Sequence, residues 1–131
     1  MTHVVVAIIN KLTNPPEYLL VSSRRDFGQF TGFYYPPGGH VENNEDEITA
    51  LKREIQEELS LNITKAQKIA KTEGDIKDQI TSWYLCECEN YDFTVDDQEL
   101  ADAKFFTRDQ IESMNIWPAT KNVFEEYILK N

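Results

Sequence analysis

Residues 38–61, GGHVENNEDEITALKREIQEELSL, constrain the fold of this chain more than any other stretch. In a helix, Glu54, Glu57 and Glu58 stand at i, i+3 and i+4 and therefore share one face. Like charges at this spacing repel by about 0.2–0.5 kcal/mol per pair, and the last turn of a helix favours cations. If the face is solvated, water screens this repulsion. If a divalent cation binds there, the same carboxylates become its ligands and the repulsion between them is neutralised. Oxygen ligands from one helix face suit Mg²⁺, with water and substrate phosphates completing its shell.

The same helix carries an apolar stripe that predicts which side packs on a core. Apolar side chains recur at three- and four-residue steps, at Ile48, Leu51, Ile55 and Leu59. The stripe is expected to lie beside the carboxylates, so that the helix buries one side and presents its acids to a cleft. Arg53 precedes Glu57 by one turn and can orient it. At the start of the helix, the sequence predicts Asn44 as the N-cap and Glu47 as its capping-box partner.

The spacing of these residues resembles the signature of the Nudix hydrolases. Eight positions over 23 residues fall in register with it: Gly39, Glu45, Arg53, Glu54, Ile55, Glu57, Glu58 and Leu61. One position departs, because Ser60 stands where the signature has glycine. That glycine supplies a residue with positive φ at the helix end, so serine is expected to cost about 1 kcal/mol there. Ser60 is not a ligand position, and the metal site is expected to be intact.

The resemblance implies an α+β architecture, an α/β/α sandwich in which helices flank a mixed central β-sheet. It also implies Mg²⁺-dependent hydrolysis, with Mn²⁺ as a substitute, of a diphosphate linkage in a small nucleoside diphosphate derivative. A metal-activated water attacks phosphorus, and the metal stabilises the charge that develops on the phosphoryl oxygens. The expected enzyme is a pyrophosphohydrolase in the MutT-like size class, with residues 1–131 forming one domain.

The resemblance also assigns roles to the acidic residues. It implies metal ligation by the Gly39 carbonyl, Glu54, Glu57 and Glu58. Glu99 precedes Phe105 by six residues, a spacing that in the family marks a further ligand or the general base. Glu54 is the competing base, and the alternative for Glu99 is a solvated acidic loop. The catalytic candidates are therefore Arg53, Glu54, Glu57 and Glu99.

Candidate substrate contacts lie before the glycine pair. Arg24 and Arg25 occupy a place where Nudix enzymes often have a phosphate-contacting arginine, whose planar fork suits a phosphate. Two ordinary surface arginines are the alternative. The aromatic residues at positions 27, 30, 33–35 and 83 belong mostly to the core, with a base-stacking residue among them. Phe33 and Tyr35 are assigned to the substrate site, whereas His40 is expected to be incidental.

The amino-acid composition limits the kinds of molecule that this protein is expected to bind. The net charge of −10, from 13 basic and 23 acidic residues, disfavours binding of long nucleic acid and leaves a small phosphorylated substrate. Cys86 and Cys88 are expected to be buried, reduced thiols. No basic leader and no run of 18 apolar residues are present, so a cytoplasmic protein without membrane contact is expected. Because many Nudix proteins dimerise, a homodimer is among the expected assemblies.

Turn residues and periodicity predict the remaining elements. Strands are expected over residues 4–9, 18–22, 33–35, 62–72, 79–89 and 104–106, with a turn at 73–75 and a loop at 89–99. Thr107 is the predicted cap of a helix over 108–114. A final helix is expected from Pro118 to about Leu129, with Val123, Phe124 and Tyr127 facing inward.

Two other functions are consistent with these residues. One is a non-catalytic Nudix-fold module that binds or senses a nucleotide, although the complete set of acids disfavours it. The other is an acidic interaction protein whose glutamate helix is incidental. Residues 76–79 lack the proline and tyrosine that mark the ADP-ribose and dinucleoside polyphosphate subfamilies, so the resemblance favours no particular nucleotide.

Overall fold

The computed structural model describes residues 2–73 and 76–129. The strands of this part of the chain are β1 (Thr2–Lys11), β2 (Glu17–Ser23), β3 (Gly38–His40), β4 (Ile63–Thr72), β5 (Gln79–Cys88) and β6 (Leu100–Thr107). Its helices are α1 (Glu47–Leu59), α2 (Arg108–Ser113) and α3 (Pro118–Val123). A 3₁₀ turn covers Gly28–Phe30, and a π-helical turn, Phe124–Ile128, continues α3.

The six strands form one mixed sheet in the order β4-β5-β1-β2-β6, with β3 also paired to β1. β1 and β5 run parallel, from the pair Thr2–Gln79 to the pair Ile9–Cys86, whereas the other strand pairs are antiparallel. β2 pairs with only the last two residues of β1, and β3 takes the same strand at residues 4–6. Along the first half of β1, the neighbouring strand is therefore β3 and not β2.

Helices cover both faces of this sheet, as the sequence predicts. Along β1, alternate side chains face opposite ways: Val5, Ala7 and Ile9 pack with α1, whereas Val6 and Ile8 pack with α2 and α3. Each face thus has its own apolar core. The free cysteines Cys86 and Cys88 are buried in the core under α1, which confirms the prediction of buried thiols.

The start of α1 differs from the prediction. Asp46 is the N-cap, and its Oδ1 accepts a hydrogen bond from the Thr49 amide at 2.7 Å. Asn44 instead has a φ of 67° within the preceding turn, so it cannot cap the helix. Glu47 is also no capping partner, because its carboxylate reaches the sheet and accepts hydrogen bonds from β5. With Glu47 facing the sheet in the first turn, Ile48 remains 36% exposed and does not join the apolar stripe.

The predicted strands are confirmed with one exception. Residues 33–35 form no regular strand, because Tyr34 and Tyr35 make only isolated bridges, to Ile116 and Val21. β3 follows them at the glycine pair. Of the predicted turn at 73–75, positions 74 and 75 lie outside the described residues.

The C-terminal helices follow the prediction in part. Thr107 caps α2 in a capping box with Gln110, and Val123 and Phe124 are buried. Tyr127 is 46% exposed, and its predicted inward orientation is wrong. The i→i+5 bond from the Leu129 amide to the Phe124 carbonyl widens the turn, so that Ile128 packs on the core instead. No helix in the described ranges is long and apolar enough to cross a membrane.

Candidate active site

Glu58 is the most deeply placed carboxyl of the acidic helix. It follows Leu51 by seven residues, nearly two full turns, and so points the same way as the apolar stripe. Its Oε2 atom is buried and has no hydrogen-bond partner among the described residues. Burial raises the pKa of Glu58 to about 8, with further contributions from the negative charges of Glu54, Glu99, Asp96 and Glu57. Glu58 therefore lies among other carboxylates. The prediction that the acids lie beside the apolar stripe is wrong for Glu58, which points in the same direction as the stripe.

Glu54 lies against the glycine pair of β3. Burial, with the nearby charge of Glu57, raises its pKa, although Arg53 and His40 oppose the shift. A Cβ atom added at Gly39 would lie 2.3 Å from the Glu54 carboxyl carbon, so a side chain there would displace the Glu54 carboxylate from its position. Gly39 therefore brings backbone, and no side chain, up to the acidic helix. Gly38 is restricted more strictly, because its Cβ would lie 2.0 Å from the backbone carbonyl oxygen of Val5.

The loop before β6 is tied to the C-terminal end of α1. The amides of Thr94 and Asp96 donate to the carbonyls of Leu59 and Glu58 at 2.9 and 2.8 Å. These bonds satisfy carbonyls that the helix end leaves without intrahelical partners. They also bring Asp96 and Glu99 close enough for their charges to act on Glu58. The sequence singles out Glu99 in this loop but gives no signal for Asp96, whose charge also acts on Glu58.

Arg53 links the acids on one side of α1. Its guanidinium contacts Glu45 through two hydrogen bonds, of 2.8 and 3.0 Å, and contacts Glu54 at 2.9 Å. It reaches Glu57 at 3.4 Å and donates to the His40 carbonyl at 3.0 Å. The bond from Arg53 is the main reason why the pKa of Glu45 falls to about 2. Arg53 thus holds Glu45 and Glu54 to the strand that carries Gly39.

The donor set suits a hard cation. In the described ranges the acids are not gathered into a ready-made group of three or more metal ligands, and the Glu57 side chain is 59% exposed beside Arg53. The unpartnered buried oxygen of Glu58 and the raised pKa values of Glu54 and Glu58 are features that a divalent cation would relieve. Carboxylate and backbone oxygens are also the ligand types that Mg²⁺ prefers.

A cavity of about 430 Å³ opens beside Gly39 on the opposite face of the sheet from α1. Of the four residues assigned to substrate binding, Arg25 and Tyr35 line it. Arg24 instead donates from its Nε to the Asp97 carbonyl. Phe33 packs edge-on against Phe30 and lines a different cleft, beside α2.

An aromatic wall that the sequence did not reveal closes one side of this cavity. Trp117 lies 5.1 Å from Phe27 and 4.9 Å from Phe30 between ring centroids, and the Arg25 guanidinium stands 5.0 Å from the Phe27 ring. Trp117 immediately precedes Pro118, far along the chain from the glycine pair, and no local signal connects the two. The Trp117 amide donates a hydrogen bond to the Tyr34 carbonyl at 3.1 Å, and this bond holds Trp117 beside the cavity.

Three comparisons with known proteins agree with this geometry. The sequence profile of the NUDIX domain matches residues 1–127. Nucleoside triphosphatase NudI of Enterobacter sp. (strain 638) is 33% identical over 128 residues, covering 88% of this chain and 90% of that protein. MutT NUDIX hydrolase from Burkholderia pseudomallei has a TM-score of 0.82 at 21% identity, covering 96% of this chain and 97% of that one. The NUDIX domain of Shewanella oneidensis NrtR, complexed with ADP ribose, has a TM-score of 0.80 at 15% identity, with coverages of 95% and 84%.

The chain therefore belongs to the Nudix family. Its mixed sheet flanked by helices is the α+β fold that the signature implies. It is a MutT-like pyrophosphohydrolase, an enzyme that hydrolyses a diphosphate linkage in a nucleoside diphosphate derivative, and such enzymes typically use a divalent metal.

Proposed function

We propose that this enzyme hydrolyses nucleoside triphosphates, with Mg²⁺ held by Glu54, Glu57 and Glu58. The Gly39 carbonyl and Glu99 are the remaining proposed ligands. The observation that carries this assignment is the buried, unpartnered oxygen of Glu58 among neighbouring carboxylates. A triphosphate substrate is favoured over other nucleotide derivatives because the relative at 33% identity is a nucleoside triphosphatase. Mn²⁺ is expected to replace Mg²⁺.

The proposed cation supplies Lewis-acid stabilisation of phosphoryl charge and a water of lowered pKa. The residues of the chain do the positioning. Arg53 keeps Glu54 and Glu57 on one side of α1 through contacts of 2.9 and 3.4 Å. Its role is therefore proposed to be positioning, and it need not touch the substrate.

Glu54 is the preferred general base of the two candidates. Its carboxylate lies against Gly39, which lines the cavity proposed to hold the substrate. Glu99 is exposed in the loop before β6, where a role as ligand fits better. Arg25 lines the cavity next to Gly39 and is the proposed phosphate contact, whereas Arg24 already donates to the Asp97 carbonyl.

A hydrolysis screen tests the proposed function. The protein is incubated with Mg²⁺ and a panel of nucleoside triphosphates, oxidised deoxynucleotides, nucleotide sugars, ADP-ribose and dinucleoside polyphosphates, and the products are identified by mass. Glu57→Gln is expected to lower turnover by orders of magnitude without unfolding the protein. Glu126→Gln, an exposed change beyond α3, is the matched control and should leave turnover unchanged.

Two outcomes would contradict the proposal. Full activity in Glu57→Gln would remove the metal assignment. Tight nucleotide binding without turnover under any divalent ion would identify a nucleotide-binding Nudix module that does not cleave its ligand.

A further inference from the structure

The cavity beside Gly39 differs in charge from the rest of the molecule. The chain has 23 acidic residues, yet no aspartate or glutamate stands among the described residues that line this cavity. Arg25 and Lys77 do line it, together with apolar and neutral polar side chains. A cavity of this composition has no carboxylate in its lining to repel the sugar and base of a nucleotide, whose phosphates would meet the acids only at Gly39. The following inference rests on the proposed function, because it concerns the substrate of that same site.

The strand pairing shows how Gly39 and Gln79, which both line the cavity, are placed relative to each other. Gly39 pairs with Val5 of β1, and three residues earlier Thr2 pairs with Gln79 of β5. Three strand residues span about 10 Å. Gln79 also lies two strands across the sheet from Gly39, a further distance of about 10 Å, because β5 and β3 flank β1 on opposite sides. The two residues are therefore about 14 Å apart on the cavity side of the sheet, a distance that a nucleotide with its phosphates can span. A nucleotide with its phosphates at Gly39 would carry its base towards Gln79.

The surfaces between these two ends suit a planar aromatic ring. Val4 and Val6 of β1 contribute apolar side chains to the floor, next to the largely buried Trp83. Trp117 stands in the wall, where contacts with Phe27 and Phe30 fix its indole. Aromatic side chains bind bases by stacking but do not distinguish one base from another, since every base has a π-face. Discrimination needs a hydrogen-bonding group at the edge of the ring.

We propose that Gln79 is the specificity-determining residue of this enzyme and selects the nucleobase by hydrogen bonds to its exocyclic oxo or amino group. A neutral amide offers one acceptor oxygen and two N–H donors in a plane, which matches the edge of a base. Within the described residues, the Gln79 side chain makes no hydrogen bond to the protein, and it is half-buried on the cavity side of β5. Gln79 thus retains its hydrogen-bonding capacity for a ligand.

Two substitutions test this role. In Gln79→Glu the donor is lost, and the carboxylate accepts from the amino group at C6 of adenine or C4 of cytosine but repels the oxo group at C6 of guanine or C4 of uracil. The ratio of kcat/KM for adenine and cytosine nucleotides to that for guanine and uracil nucleotides should rise about tenfold or more. In Gln79→Met, both donor and acceptor are lost, and the four kcat/KM values should move towards one another. Gln67→Glu, an exposed change of the same kind on β4, should leave the ratios unchanged.

Binding supplies a second readout that does not depend on turnover. Dissociation constants of the four nucleoside triphosphates are measured by calorimetry for the wild type and for both Gln79 variants, after thermal melts establish that each is folded. The same change in ratio is expected. Hydrolysis with ratios that stay constant in both variants would overturn the role of Gln79 and leave the proposed function standing. Absence of both turnover and binding for every nucleotide would overturn the two together.

Discussion

Glu58 is a single buried acid whose position costs the metal-free fold stability. Its position seven residues after Leu51 turns it towards the core, where its Oε2 has no hydrogen-bond partner in the described part of the chain. Without a cation, the residue is surrounded by the carboxylates of Glu54, Glu57, Asp96 and Glu99. Burying an uncompensated acid destabilises a fold, so the position is consistent with a ligand whose partner is an added ion.

Replacing Glu58 by glutamine should therefore separate stability from activity. In EDTA at neutral pH, Glu58→Gln is expected to raise Tm by several degrees, because the amide keeps the volume, has no charge and can donate to the surrounding carboxylates. Turnover with Mg²⁺ should fall by orders of magnitude. Thermal melts and steady-state rates on the same preparations measure both effects, with Glu126→Gln as the exposed control. A lower Tm for Glu58→Gln would mean that the glutamate is already satisfied in the metal-free protein.

Helix α1 is the element that positions the acids, and it is fixed at both ends. At the N-terminal end, Glu47 joins α1 to three strands: it accepts from Tyr84 at 2.5 Å, Ser82 at 3.0 Å and Lys68 at 3.0 Å, and its Oε2 lies 2.8 Å from the His3 ring. At the C-terminal end, Ser60 adopts the left-handed conformation with a φ of 56°, and its amide donates to the Gln56 carbonyl. These contacts hold the helix against the sheet while its charged residues repel one another.

The Glu47 contacts predict a pH dependence of stability. Burial would raise the pKa of Glu47, but the hydrogen bonds from Tyr84, Lys68 and Ser82 outweigh it and lower the pKa from 4.5 to about 2. A depressed native pKa stabilises the fold above pH 4.5, and this contribution is lost as the pH falls from 4.5 to about 2. Glu47→Gln should therefore reduce the free energy of unfolding by about 1–3 kcal/mol at pH 7 and by much less near pH 2.5.

Urea denaturation at pH 7 and at pH 2.5 measures this difference. Glu112→Gln is the control, because Glu112 forms an exposed pair with Arg108 at 3.4 Å. Exposed pairs contribute about 0–1 kcal/mol, so that variant should change little at either pH. An equal loss of stability in Glu47→Gln at both pH values would show that the Glu47 charge does not stabilise the fold.

The end of α1 gives a second prediction at this scale. Ser60 occupies a position where the Nudix signature has glycine, and its positive φ is strained for a residue with a Cβ atom. Ser60→Gly should raise the free energy of unfolding by about 0.5–1 kcal/mol, since the relief of strain exceeds the added entropy of the unfolded chain. Ser113→Gly, at the last helical residue of α2, should lower it, because glycine gains backbone freedom in the unfolded chain without relieving any strain there. Thermal or urea unfolding compares the two, and a destabilised Ser60→Gly would contradict this account of the helix end.

On the scale of the whole molecule, the sequence predicts features that lie within one continuous segment, but not features that form between distant segments. The carboxylates of α1, the long strand β5 and the Thr107 cap follow from spacing along one segment. The cavity does not, because the parallel pairing of β1 with β5 joins Thr2 to Gln79, and the Tyr34 carbonyl draws in Trp117. Periodicity tells which side of a strand a residue occupies, but not which strand lies next to it. Phe33, which the sequence assigns to the substrate site, lines a different cleft from the one that Trp117 lines.

The fold places the two halves of the proposed reaction on opposite sides of β3. α1 packs on one face of the sheet with its acids, and the cavity opens on the other face. Gly38 and Gly39 stand between them, where side chains would collide with Val5 and Glu54. A substrate in the cavity can thus bring its phosphates within reach of the acids across a strip of bare backbone.

A titration with Mn²⁺ tests most directly whether the acids of α1 form a cation site. Free Mn²⁺ is followed by electron paramagnetic resonance during additions to the wild type, Glu57→Gln, Glu58→Gln and Glu126→Gln. The wild type and Glu126→Gln should share a site from which Mg²⁺ displaces the ion, and Glu57→Gln and Glu58→Gln should bind at least about tenfold more weakly. Equal affinity in all four proteins would contradict the assignment of the metal to these glutamates.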